Sequence, residues 1–591
     1  MGRSVDDLLR VDLSAGTVER ERVPADWRRK YLGGKGLGAR YLYEELPPEA
    51  DPLGSANVLL FMLGPLSGLL PGEQRYSAVT KSPLTGTFLD SYAGGTFPET
   101  LAGALDTHLG LLVTGRADEP VNLVVEDGTA RIEPTDAWGA DAVETCERFP
   151  DAAVACIGPG GEHRVAYATI ASDRAEHHAG RGGAGAVMGA KRLKAVVARG
   201  DPPEPMGELA ALRERAEAAF READTGKWQV ASGTLESVDF ADYAGVLAAR
   251  GWQERGFEAT REIGIEAARA AAREREHDAP IPGGFRTETP EGDSVPRGAT
   301  AMTLGAGLGL DEFDVVAELG ERCNRLGVDL ISVGNAVAWA IRATEAGLVT
   351  RDLAFGDPDG ARALIEEIAR RSSDLGDALA DGVAAAAEQY GGSDFIPTVK
   401  DMALPSYDPR GAASMALAYA TSDRGACHRR ARPVEREPFE APWGPAEVAA
   451  AVVEAQDARS VRWSLVADDF VGEAVAAEEW LDAAGYPHGD LARTGERIWN
   501  LTRLFAVREG FAREADALPD ALDTNGALSE ARFEAMLDAY YAMRGWSADG
   551  IPARGTLARL DLLATADDRT PVADAPLDPD TSTEHDPDTD P

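Results

Sequence analysis

Four stretches of this chain carry side chains whose types and spacing could do chemistry. The first, YLGGKGLGARYLYEELPP (residues 31–48), sets four glycines ahead of a helical pattern. Such a cluster permits close backbone approach and can present N–H groups to an anion, although a structural turn explains it equally. The second, GEQRYSAVTKSPLTGTFLDSYAGGTFP (72–98), mixes Arg75 and Lys81 with small polar residues and Gly94. The third, DRAEHHAGRGGAGAVMGAKRLKAVV (173–197), is a Gly/Ala run flanked by Arg181 and Lys191. It suits a phosphate-bearing cofactor lying on backbone, but it does not match the G-x-G-x-x-G fingerprint of a dinucleotide fold. The fourth, LPSYDPRGAASMALAYATSDRGACHRRARP (404–433), places two Arg-Gly steps around an apolar helical run and ends on His428. A lone histidine is a structural residue as often as a proton carrier.

Other chemistries are excluded more firmly. The four cysteines, Cys146, Cys156, Cys323 and Cys427, are widely and irregularly spaced and include no C-x-x-C pair. They form neither a disulfide framework nor a zinc site, and isolated cysteines usually serve as small buried hydrophobes.

The elements that must position these residues divide the 591-residue chain. A chain this long exceeds one core and splits into several domains. Residues 1–204 alternate short apolar runs (NVLLFMLGPLSG, RYSAVTKS, LGLLVTG, PVNLVVEDG, LKAVVARG) with Gly/Pro/Asp turns, which predicts a β-rich domain. It ends at RGDPPEPMGE. From Glu208 the apolar spacing becomes helical, for example in IEAARAAAREREHD and DEFDVVAELGERCNRLG, with Asp caps expected in GLDEFD and GDPDGARALIEE. We expect an α+β protein: an N-terminal β-rich domain over 1–204, two mostly helical domains over 205–400 and 401–566, and a disordered acidic tail over 567–591, which has too little apolar surface to bury.

The formal net charge is −41, and only seven of the 59 basic residues are lysine. Such a surface repels nucleic acid and anionic lipid, and it fits a halophilic, salt-rich setting in which counterions screen self-repulsion. No run of about 18 uncharged apolar residues exists to span a membrane. The N-terminal residues hold no signal-peptide apolar region, so a cytoplasmic location is expected.

Taken in order, YLGGKGLGA, VTKSPLTG, GRGGAGAVMGAKRLKAVV, CNRLGVDLISVGNAVAWA and YDPRGAASMALAYATSDRGACH resemble the aldehyde:ferredoxin oxidoreductase family, whose members use tungsten or occasionally molybdenum; the likeness covers about residues 5–510. The resemblance implies a β-rich domain followed by two helical ones, which agrees with the division above. It further implies one tungsten held by two pterin dithiolenes (a tungstopterin or molybdopterin centre), a neighbouring [4Fe-4S] cluster, oxidation of a small aldehyde to a carboxylate, ferredoxin as electron acceptor, and often a homodimer. By the same resemblance, Arg75, Gly94, His178, Gly180, Arg181, Asn324, Val328, Asp329, Arg424, Gly425 and Arg430 bind the cofactor. His428 matches the active-site histidine, a proton donor or acceptor beside the metal.

The departures concentrate on the cluster. The family reads C-x-x-C-P-I-x-C where this chain reads EHDAPIPG, so the three cysteine positions hold Glu276, Ala279 and Gly283. The fourth holds Asp468, in QDARSVRWSLVADDF. Clusters require thiolate or imidazole donors, so the [4Fe-4S] group is expected to be absent. Trp463 replaces a pterin-contacting aspartate, RGAT (297–300) stands where the family has E-Y-E-T and its active-site glutamate, and His177-His178 replaces Arg-Ala. Three readings follow: an aldehyde oxidoreductase that passes electrons directly to an unidentified carrier, a non-catalytic paralogue that keeps the scaffold, or a nucleotide-binding protein built on the glycine-rich loops.

Overall fold

The computed structural model describes residues 5–277, 282–440, 442–519, 522 and 528–578. The expected architecture is present: sheets up to Arg199, then mostly helices. Twelve strands form two six-stranded sheets. They are β1 (Asp7–Asp12), β2 (Thr17–Arg22), β3 (Leu59–Met62), β4 (Tyr76–Lys81), β5 (Phe88–Ala93), β6 (His108–Thr114), β7 (Val121–Glu126), β8 (Thr129–Pro134), β9 (Ala153–Cys156), β10 (Ile170–Ser172), β11 (His177–Ala179) and β12 (Leu193–Arg199). The first sheet runs β2-β1-β6-β3-β4-β5 and the second β11-β10-β9-β12-β7-β8. Only β1·β6 and β7·β12 are parallel.

Side-chain alternation explains why β3 reads as a continuous apolar run. Leu59 and Phe61 face the second sheet, together with Leu123, Val125 and Val196. Leu60 and Met62 point the other way, onto Leu37 and Tyr41 of the helix Gly34–Glu45 and onto Leu501, Leu504 and Phe505 of the helix Leu491–Arg508. With both faces buried, the period of two carries no polar residues. The register sets Ala78 opposite Ser91 and Val79 opposite Asp90, and both Asp90 and Ser91 are buried although β5 is the edge strand of this sheet.

The structure departs from the sequence-based expectations in four places. The run IEAARAAAREREHD is helical only over Ile265–Ala271; Glu274–Arg275 then pairs with the strand Phe285–Thr289. Asp357 caps its helix, accepting from the Asp359 N–H at 3.1 Å, but the helix Phe313–Leu326 in GLDEFD has no side-chain cap. The helix Glu208–Glu222 packs with Trp480 and Leu481 of the C-terminal part as well as with the helix Asp224–Ser232 that follows it. The tail becomes ordered structure before it ends: Tyr43 bonds Thr570, Ala553 pairs with Ala573, and the Leu577 N–H donates to the Trp546 carbonyl. Disorder beginning at residue 567 is therefore incorrect, because Leu577 finds a ready apolar cluster; the expectation for 579–591 lies outside the described residues. None of the described helices is long and apolar enough to cross a membrane.

Candidate active site

Three of the four glycine-rich or Arg-Gly stretches interlock. Arg424 donates through Nη1 to the Asp90 carbonyl (2.7 Å) and towards Ser91 Oγ (3.4 Å). Ser91 Oγ donates to the Arg181 carbonyl (3.1 Å). Arg181 returns to the fourth stretch, its Nη2 donating to the carbonyls of Ala403 (2.6 Å) and Ala426 (2.7 Å). The Arg181 backbone has φ 66°, an unusual left-handed conformation for a side-chain-bearing residue, and Gly182 and Gly183 continue it at 80° and 86°. The glycine run thus permits a sharp reversal that aims one guanidinium inward. Among the expected cofactor residues, Asp329 lies 3.9 Å from Arg181, while its carboxylate caps the helix Leu330–Glu345 by accepting from the Ser332 N–H.

Other expected residues have roles of their own. Arg75 pairs with Glu73 at 2.7 Å. Gly94 approaches Glu73 so closely that a Cβ there would overlap the carboxylate. His178 bridges Thr169 Oγ1 and the Ala175 carbonyl (2.8 Å each), and burial lowers its pKa to about 4. Gly180 lies beside Asp329 and Thr169, and Gly425, with φ 97°, packs against Met402 and Thr85. Val328 pairs with Ala168. Asn324 leads away from this group, its amide donating to Glu321 at 3.4 Å. Arg430 is fully buried and occupied by Asp423 (2.7 Å) and Asp90. Those two aspartates also hold Lys35, so the first glycine stretch contributes a buried cation rather than free N–H groups. The N–H groups of Gly34 and Gly36 are taken by Leu63 O and Ser464 Oγ.

His428 is half-buried and its ring packs 5.7 Å from Tyr407. Burial pushes its pKa well down, and the positive charges of Arg429, Arg181, Arg432 and Arg424 push it further. The imidazole is therefore neutral and weakly basic at ordinary pH as long as no anion offsets those arginines. Its neighbour Cys427 receives the Arg424 Nη2 at 3.0 Å. Burial raises the Cys427 thiol, but Arg424 and Arg430 outweigh that and bring it down to about 7. The excess of guanidinium groups is physically expensive without an anion. Buried nitrogens of Arg75, Arg181 and Arg424 are left without hydrogen-bond partners. A phosphate-bearing pterin would satisfy that demand, so the residues present fit the cofactor that the resemblance implies.

The cluster positions do not fit a [4Fe-4S] group. Glu276 is engaged with Arg297 (2.9 Å) and with His177 Nε2 (2.7 Å), and His177 Nδ1 reaches Glu73 at 3.1 Å. Asp468 uses its carboxylate to accept from the N–H groups of Phe470 and Val471. Gly283 has no ligand atom, and Ala279 lies outside the described residues. The four cysteines are elsewhere; Cys146 and Cys156, despite their separation in sequence, come within 3.8 Å of each other as free thiols. Among the described residues no group of three or more His, Cys, Asp or Glu side chains is arranged to hold a metal ion. In the RGAT segment, Arg297 is turned to Glu276 and places no carboxylate near His428.

Sequence reasoning missed the Glu73–His177–Glu276–Arg297 chain, the Lys35–Asp90–Asp423–Arg430 core, and Arg429 and Arg459. Only the basic run HRRAR signalled any of them.

Residues 8–200 match the family described as "Aldehyde ferredoxin oxidoreductase, N-terminal domain", and residues 211–562 match "Aldehyde ferredoxin oxidoreductase, domains 2 & 3". The chain is 31% identical to the tungsten-containing aldehyde ferredoxin oxidoreductase of Pyrococcus abyssi, covering 92% of this chain and 96% of that one. It is 32% identical to the Thermococcus kodakarensis protein of the same description, over the same shares. An aliphatic sulfonate oxidoreductase WOR-like subunit of Pyrococcus furiosus is 30% identical over 71% of this chain and 74% of its own. Among solved structures, the active site complex BamBC of benzoyl coenzyme A reductase shares the fold, with a TM-score of 0.80 and 22% identity, covering 96% of this chain and 98% of that one.

Proposed function

The chain belongs to the aldehyde ferredoxin oxidoreductase family, and on that premise we propose that it oxidises an aldehyde to a carboxylate at a tungsten bis-pterin centre, without a [4Fe-4S] cluster. The observation that carries this reading is the convergence of Arg181 and Arg424, with Arg429 and Arg432, around His428, Arg181 and Arg424 each leaving a buried guanidinium nitrogen unpartnered. When bound, the metal–pterin group supplies the two-electron chemistry by which aldehyde and water become carboxylate. Arg181 and Arg424, fixed by carbonyl oxygens, would orient its anionic groups; Asp329 stands within reach of Arg181 to complete that wall. An anionic group bound among these arginines would offset the charges that depress the His428 imidazole, which would then take a proton from the water or aldehyde hydrate, and Tyr407 packs against the ring.

The cluster's place is taken by the salt-bridged Glu276 and by Asp468, which caps backbone N–H groups. Without that cluster, the two electrons taken from the aldehyde would have to leave to an external carrier docked near the cofactor, in place of the family's cluster-to-ferredoxin route. Metal, pterin and iron content of protein from its native host tests the reading. Tungsten or molybdenum near one per chain, with iron far below four and aldehyde oxidation with an artificial acceptor, is the expected result. Four irons per chain with thiolate charge-transfer absorption would overturn the cluster-free part. Absence of tungsten and molybdenum would favour a non-catalytic scaffold, the reading that the missing carboxylate at RGAT supports.

A further inference from the structure

The helix Pro445–Ser464 buries Gln456, Arg459, Ser460 and Trp463, which recur at the spacing of one helix face. Three of the four are satisfied. Gln456 meets Thr421, Tyr540 and Arg544; Ser460 Oγ donates to the Gln456 carbonyl; Trp463 Nε1 donates to Asp469 at 3.1 Å. Arg459 is the exception. It is 6% exposed, yet among the described residues nothing hydrogen-bonds or ion-pairs with its guanidinium, and its Nη1 is sealed from solvent. Its ring contact is Trp463, 6.0 Å away. Its charged surroundings are mostly of its own sign: Arg432, Arg462 and Arg429. Glu435 is within electrostatic range but is engaged by Arg432 at 3.1 Å.

A guanidinium does not escape burial by losing its proton under ordinary conditions. Its complement must therefore be an anion that comes from outside the chain. The position suggests which one. Arg75, Arg181 and Arg424 are tied to the β-rich domain and its partners, on the wall assigned to the cofactor. Arg459 belongs to the helix Pro445–Ser464, where it shares the Trp463 ring (6.0 Å) with Arg430 (4.6 Å), two residues from His428; Arg429 and Arg432 lie within electrostatic range of both Arg459 and His428. We infer that the aldehyde oxidised here carries a second, anionic group, a carboxylate or a phosphate, and that Arg459 receives it while the carbonyl end lies towards His428. The inference rests on the aldehyde-oxidising reading above and adds the substrate class. Charge-assisted bonds to a preorganised guanidinium are among the stronger polar contacts, so the anionic tail would act as the anchor.

The test compares succinic semialdehyde with butanal, matched in length and differing by one carboxylate, on purified holoenzyme. Succinic semialdehyde should have the higher kcat/KM by about 10- to 100-fold, the range expected for a hydrogen bond to a charged group. Arg459→Gln should abolish that preference through KM, leave butanal within about threefold, and keep the wild-type tungsten and pterin content; Arg459→Lys should retain part of the preference. Because the substitution removes an unpaired buried charge, the variant should fold at least as well as wild type. Loss of metal or pterin from Arg459→Gln would show that the guanidinium serves a cofactor phosphate and would overturn the proposal. An equal loss on both aldehydes would overturn it as well. Should no aldehyde be oxidised at all, binding of succinate against butyrate, read by calorimetry, decides separately: succinate binding lost in Arg459→Gln upholds the anion site, and no succinate binding overturns it.

Discussion

His428 is a neutral imidazole among guanidinium groups, depressed by burial and then by Arg429, Arg181, Arg432 and Arg424. An unperturbed histidine would be half protonated near neutrality; this one is neutral and a weaker base until an anion offsets the arginines around it. General acid–base groups contribute about 10²–10⁴-fold in rate. His428→Ala should lower kcat for aldehyde oxidation by that factor while metal content and thermal stability stay at wild-type values. Retained activity in the variant would make His428 a packing residue. His177 is the opposite case. Burial disfavours its charge, but Glu73 and Glu276 outweigh burial and raise its pKa to about 10 from 6.5. Its stabilising contribution is therefore complete below about pH 6.5 and is lost as pH rises through about 10. Removing one member of a buried ion pair costs about 3–5 kcal/mol, so His177→Gln should be less stable by that amount near pH 6, with the gap closing towards pH 10. Parallel denaturation curves across that range would contradict the assignment. His428 and Arg181 could be found from the sequence because each stands in a run of small residues. Arg459 and the role of His177 could not: Arg459 stands in no motif, and His177, though visible as a departure from the family, meets partners from segments 104 and 99 positions away (Glu73 and Glu276).

The elements that fix Trp463 and Arg459 meet at the glycines of the first stretch. A Cβ on Gly34 would collide with the Trp463 carbonyl, and Val466 and Ser464 close the remaining space. This contact explains the glycines at the start of the helix Gly34–Glu45: Gly33, Gly34 and Gly36 admit the end of the helix Pro445–Ser464 rather than an anion, whereas Gly38 faces Val79. The sequence pattern announced close approach but could not name the approaching backbone, which lies about 430 residues further along. Overpacking a filled interface costs about 1–3 kcal/mol. Gly34→Ala should lower the Tm accordingly and alter the near-ultraviolet circular dichroism of the buried tryptophans. Gly489, where a Cβ would meet nothing within 4 Å, supplies the control, and its alanine variant should change stability by less than about 0.5 kcal/mol. Equal effects of the two substitutions would deny the close approach its structural role.

For the whole molecule, charge is distributed in opposite senses inside and out. The chain carries a net −41, yet the walls around His428 are crowded with arginine. The interior cations are held by carbonyls and buried carboxylates within a few ångströms, where salt screens little. The surface acids repel one another over longer distances, and that repulsion opposes the compact state. Screening lengths shrink from about 30 Å at 0.01 M to about 3 Å at 1 M salt. Salt should therefore act mainly on the unfavourable surface term. Lowering KCl from molar to millimolar concentration should lower the Tm and, at the low end, reduce the helical circular dichroism, while non-ionic osmolytes at matched osmolarity should restore much less than KCl does. The many exposed Arg–Glu and Arg–Asp pairs do not reverse this expectation, because exposed pairs contribute only about 0–1 kcal/mol each and 100 acidic residues face 59 basic ones. A Tm independent of KCl across that range would mean that the acidic surface does not govern stability, and the salt-adapted reading of the composition would fall.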